Sequence, residues 1–148
     1  MATVYGVNKT KMLTPSASNI LDQGAVGGKV VAMIDSYEAS ALAAASVIQM
    51  CDKIPAGASV LRITLLTDDL GGTATVDIGD VADDDRYASA FDISGAAKTY
   101  VFPETAAGAN IDAFPYQVGA ATGDDQIALT INTSAVTGTI DIIVEYCL

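Results

Sequence analysis

Residues 60–87, VLRITLLTDDLGGTATVDIGDVADDDRY, decide the class of fold. In the first half Leu61, Ile63 and Leu65 share one face, and Arg62 and Thr64 take the other. In the second half Ala74, Val76 and Ile78 alternate with Thr73, Thr75 and Asp77. A strand turns successive side chains to opposite faces, so each run reads as a half-buried antiparallel strand. Gly71 and Gly72 tolerate the positive φ of a tight turn, and Asp68 and Asp69 suit its entry. The expectation is a β-hairpin followed by an acidic loop, together the rigid centre of a sandwich.

The flanking sequence extends this pattern. Residues 29–36, KVVAMIDS, form a strand that is apolar on both faces, as in a strand covered on both sides. Residues 37–45 read as a strand end and loop, with a short helix as the alternative because EASALAAA has helical propensity. A strand at 47–53 leads to a turn at Pro55, Ala56 and Gly57. Residues 81–89 are one helical turn or an irregular loop. A short strand at 98–102 is closed by Pro103, 104–112 is a loop, 115–118 a short edge strand, and 123–125 a turn. Ile127, Leu129 and Ile131 alternate along the next strand. Ile140, Ile142, Val144, Tyr146 and Leu148 face inward along the last, with Asp141 and Glu145 outward. This most regular strand is expected in the middle of a sheet. About seven or eight short strands separated by turn signals predict an all-β fold, an antiparallel β-sandwich, jelly-roll-like, over residues 28–148.

Residues 1–27 differ. Lys9, Lys11 and Asp22 give them a net +1, which leaves −12 of the total −11 on the remainder. Pro15, Gly24, Gly27 and Gly28 argue against a long helix, and the apolar content is high for a free tail. This segment is expected to be an extended N-terminal arm lying along a partner or a neighbouring subunit.

A chain of 148 residues fits one domain. With no Trp and only 6 Tyr and 3 Phe, the core must be aliphatic. The acids are mostly Asp, a turn residue, so they read as solvated loops that keep the chain soluble, with cation binding or a basic partner as the sharper alternative. The 7 Lys and Arg are scattered, which argues against nucleic-acid binding. Cys51 and Cys147 have neither a CxxC pattern nor a histidine to complete a zinc site; they read as reduced thiols, with a cross-strand disulfide left open. No apolar run approaches the roughly 20 residues of a membrane span, and residues 1–12 lack the apolar core of a secretion signal. Synthesis and folding in a cytosol are expected.

The absence of histidine removes the commonest general base and metal ligand. No phosphate-binding glycine loop is present, and there is no tryptophan platform for sugars. The cluster Asp77, Asp80, Asp83, Asp84 and Asp85 does not match a calcium-loop spacing. No catalytic residue, metal or cofactor is therefore assigned. Asp80, Asp83, Asp84 and Asp85, partly neutralised by Arg86, are expected to form an outward rim or subunit-contact edge.

Several phrases, MATVYGVNKTK, GGKVVAMIDSYEA, ASVIQM, IPAGASVLRITLLTDDLGGTATVDIGD, the DDDRY segment and the closing strand, resemble a family of capsid decoration or cement proteins of tailed bacteriophages. The resemblance covers most of the chain and carries no catalytic motif. It implies a β-sandwich or jelly-roll module on the outer surface of a head whose shell has the HK97 fold. It further implies the major capsid protein as partner and homotrimers at three-fold and quasi-three-fold positions. Tyr5, Val7, Lys9, Lys11 and Met12 would then belong to a capsid-contact arm. A head-fibre base, neck or tail component is the alternative within the virion, and a host-surface or glycan-binding module the alternative outside that class.

Overall fold

A computed structural model describes residues 7–13, 28–119 and 125–148. Nine strands follow one short helix among them: α1 (Val7–Leu13), β1 (Val30–Leu42), β2 (Val47–Gln49), β3 (Ser59–Thr67), β4 (Thr75–Gly79), β5 (Ala88–Asp92), β6 (Lys98–Phe102), β7 (Tyr116–Gln117), β8 (Ala128–Asn132) and β9 (Val136–Cys147). They form two antiparallel sheets. One has the order β1-β9-β3-β6, with β7 pairing the start of β3, and the other β2-β8-β4-β5. With β7 set aside, this is jelly-roll order. The chain changes sheet at every step except β4 to β5.

That alternation overturns the expected hairpin at 60–87. β3 and β4 lie in opposite sheets and do not pair. The alternation itself holds, because both strands do present an apolar face inward: Ile63, Leu65, Val76 and Ile78 are all buried. Their inward faces oppose each other across the core instead of lying side by side. The connection has room to cross between layers and drops Leu70, 2% exposed, into the core as it does so. Gly71 takes its positive φ of 95° within this crossing, and its N–H donates to Asp69 Oδ1 at 3.1 Å. The true local pair is β4 with β5, and the acidic loop is its tip.

Leu61 also departs from expectation. The β3–β9 register passes from Val60↔Tyr146 to Arg62↔Glu145, so Leu61 is the extra residue of a bulge. The bulge resets the side-chain parity. Val60 and Ile63 are both fully buried, and Leu61 is only partly so.

β9 lies between β1 and β3, in the middle of its sheet as expected. Ile140, Ile142, Val144 and Tyr146 are buried, but Leu148 lies past the strand and is 53% exposed. Among the described residues β1 is an edge strand, not a strand covered on both sides: Val31 and Met33 pack against the core while Ile34 is 74% exposed. The strand expected at 47–53 is limited to Val47–Gln49, since Cys51 adopts a positive φ of 61°. β5 was not anticipated. Its buried residues, Ala88 and Phe91, do not alternate, and Ala90 has a positive φ of 48°. Residues 37–45 continue β1 to Leu42 and then turn, without the alternative helix. The thiols of Cys51 and Cys147 are not joined in a disulfide.

The arm is not extended throughout. Val7–Leu13 is α-helical, two turns without an acid in the first and with Lys11 in the last, where a cation suits the helix dipole. Tyr5 and the rest of residues 1–6 and 14–27 lie outside the described residues, as do 123 and 124 of the expected turn. Asp125, its last residue, bridges Ile54.

Candidate interaction surfaces

The loop between β4 and β5 is built around Asp80. Its side chain has no solvent exposure, and it takes four donors. Oδ1 accepts the backbone N–H groups of Ala82 and Asp83, each at 3.0 Å, and Arg86 Nη2 at 3.1 Å. Oδ2 accepts Arg86 Nε. The guanidinium also lies 4.1 Å from the centroid of the Tyr116 ring and 3.7 Å from Asp83 Oδ2. The Asp80 carboxylate holds the Arg86 guanidinium above its usual range. Behind this pair Tyr87 is buried against Phe114 and Tyr116, at 5.2 and 6.1 Å between ring centroids, and burial first, then Asp80, pushes its hydroxyl pKa up. Asp125, also buried, accepts Val81 N–H at 3.1 Å, tying the loop to the segment that leads into β8 of the same sheet.

The expected acidic rim is therefore corrected in part. Asp80 is not on a rim, and Arg86 is not a surface counter-ion. Together they are the internal clasp of the loop. Asp84 and Asp85 are exposed and Asp83 partly so. These three carboxylates approach within 4.8 Å of one another, a grouping that exposed acids adopt without an ion. No described residue of this loop combines with a nucleophile or a base.

Two shallow clefts open elsewhere. One, of about 380 Å³, is lined by Phe91, Asp92, Tyr100, Glu104, Ala106 and Ala107. The other, of about 400 Å³, includes Thr67, Asp68, Lys98 and Asp141. Neither gathers a nucleophile beside a general base.

The surface that sequence reasoning missed is the outward face of the β1-β9-β3-β6 sheet. Ile34 pairs with Ile143, Ile143 with Thr64, and Thr64 with Val101, so one cross-strand row traverses the sheet. Ile34 and Val101 at its ends are 74% and 42% exposed. The next row, Ala32, Glu145 and Arg62, carries an ion pair at 2.8 Å between Arg62 and Glu145. The signal was present as the two apolar faces of residues 29–36. In the arm, Lys9 and Met12 are exposed, Met12 by 52%, and Lys11 is half-buried; Val7 lies in the helix with them.

The fold is shared with chains from phage capsid structures. A chain of the cyanophage Pam1 capsid asymmetric unit is similar with a TM-score of 0.58 and 25% identity, over 82% of this chain and 86% of that one. A chain of the capsid of Ralstonia phage GP4 is similar with a TM-score of 0.60 and 22% identity, over 81% and 84%. No protein-family model and no curated protein matches the sequence.

Proposed function

We propose that this chain is a structural protein of a tailed-bacteriophage virion, a decoration or cement protein that stabilises the head from outside. The observation that carries the reading is the jelly-roll similarity to a chain of the Pam1 capsid asymmetric unit, which at 25% identity runs over most of both chains. Three features of the molecule support it. Asp80 and Arg86 are committed to structure, and no catalytic constellation is assembled among the described residues. An apolar row lies open on one sheet face. The basic segment at 1–27 is set against a strongly acidic body.

In this reading the partner is the major capsid protein of an HK97-fold shell. Residues 1–27, with Tyr5, Val7, Lys9, Lys11 and Met12, make the attachment. The body stands outward as trimers at three-fold and quasi-three-fold positions, its acidic loops solvated. The chain is made in the host cytoplasm, needs no cofactor and catalyses nothing.

The test is the copy number and position of this chain in purified virions. A shell protein of this kind is present on the order of hundreds of copies, each seated at a three-fold position in a reconstruction. A count of about ten or fewer, at one vertex or on the tail, overturns the reading in favour of a head-fibre base, neck or tail component.

A further inference from the structure

We propose that β1 is the docking edge for a second copy of this chain, which adds its own β1 antiparallel about Ala32. The contact goes beyond the capsid reading and does not rest on it.

Among the described residues β1 pairs with β9 alone. The Leu148 N–H donates to the Lys29 carbonyl at 3.2 Å. Antiparallel alternation then commits the backbone groups of Lys29, Val31, Met33 and Asp35 to β9, and turns those of Val30, Ala32 and Ile34 to the open edge. Ser36 marks where that edge closes, because its N–H is taken by Asp35 Oδ1 at 2.8 Å. Natural sheets protect such edges with proline, a bulge or an inward charge. Over Val30–Ile34 there is none, and the first break in the β1–β9 register comes only between Ala39 and Leu42.

Charge and size identify the occupant. Antiparallel pairing about Ala32 sets Val30 opposite Ile34 of the second copy, Val31 opposite Met33, and alanine opposite alanine at the two-fold axis. It also sets Lys29 opposite Asp35 at both ends. Lys29 is exposed with no ion pair among the described residues. A slip of two residues places Lys29 opposite Tyr37 and Asp35 opposite Val31, and both charge pairs are lost. The stretch KVVAMID is thus self-complementary in one register. Such a pairing forms about six backbone hydrogen bonds, makes the two sheets continuous, and joins the exposed Val30, Ala32 and Ile34 of each copy into one patch. The interface is isologous, so it closes on itself, or links one three-fold cluster to the next on a shell.

The experiment uses the full chain. At the axis a hydrogen-bonded pair brings the Cα atoms to about 5.5 Å, inside the disulfide range. Under mild oxidation Ala32→Cys is expected to give a covalent dimer on a non-reducing gel. Thr99→Cys, also exposed but on β6 at the far edge, and the parent chain with Cys51 and Cys147, give none. Ala32→Pro removes an N–H that β9 does not use, and is expected to weaken association about tenfold in sedimentation equilibrium. Lys29→Glu, an exposed substitution that sets like charges opposite, is expected to act in the same direction. The proposal is overturned if Ala32→Cys cross-links no faster than Thr99→Cys, or if Lys29→Glu and a folded Ala32→Pro associate as the parent does. Virion copy number is unaffected by either result, so the two readings fail separately.

Discussion

Arg86→Ala tests whether the acidic loop is an internal clasp or a solvated rim. The substitution removes both guanidinium bonds to Asp80, the contact with the Tyr116 ring and the weaker pairing with Asp83. It leaves a fully buried carboxylate with only the Ala82 and Asp83 N–H groups. Removing one partner of a buried pair costs about 3–5 kcal/mol. The Arg86 side chain is itself 20% exposed, so the lower end applies, about 3 kcal/mol with the ring contact included. With a urea slope of about 1.5 kcal/mol/M, the midpoint falls by about 2 M. Unfolding is followed by tyrosine near-ultraviolet circular dichroism, since the chain has no tryptophan. A double-mutant cycle with Asp80→Asn should give a coupling of about 2 kcal/mol. A surface ion pair would cost no more than about 1 kcal/mol. A loss of that size, or additive single mutants, would refute the clasp.

Four further outcomes are expected. Gly79→Ala drives a Cβ into the backbone of Asp83 and Asp84, and thermal denaturation should register a loss of about 2 kcal/mol or more; an unchanged midpoint means that the loop does not fold back on β4. Burial, with Asp35 adding to it, pushes the Cys51 thiol up to about 11, so a disulfide reagent at pH 8 should modify it roughly a hundredfold more slowly than a free thiol, and fast labelling of the native chain contradicts the burial. The Thr139 N–H holds the Asp68 carboxyl below its ordinary value. A depressed folded pKa contributes stability above about pH 4 that is lost as pH falls through the lower folded value, so Asp68→Asn should flatten the acid limb of a urea-midpoint profile, and an unchanged limb counts against the bond. Deleting residues 1–12 should leave the circular dichroism of the sandwich intact and weaken attachment to heads; unchanged saturation of empty shells excludes the arm as the attachment.

The sandwich and its core were legible in the sequence because alternation reports which side of a strand is buried. It does not report which strand lies alongside. Residues 60–67 and 74–79 look the same whether they pair with each other or oppose each other across a core, so the supposed hairpin hid a crossing between sheets. Leu61 was misplaced for a related reason: a bulge is a property of two strands, and only the β9 register exposes it. β5 escaped because Ala90, at positive φ, breaks its period. The acidic loop is legible in the sequence, but its buried hub is not. Asp80 and Asp83 are identical letters, and only the approach of Arg86 and the backbone of Ala82 distinguishes the buried hub from its exposed neighbours. The apolar row through Ile34, Ile143 and Val101 joins residues from three separate segments, a relation that no local window contains.

The central position of β9 has a consequence for how the protein is made. Its residues pair with β1 on one side and β3 on the other. Until 136–147 have left the ribosome, the larger sheet has no middle, and β1 waits without the strand it pairs with among the described residues. β4 with β5, and β3 with β6, can close on each other earlier. Completion of the larger sheet then waits for β9 and is slow, as for other chains dominated by distant strand pairings. A cell producing many copies at once holds a standing population of unfinished chains with open edges, each able to capture another. The yield of soluble protein is therefore expected to depend on the rate of synthesis more steeply than on the stability of the finished fold.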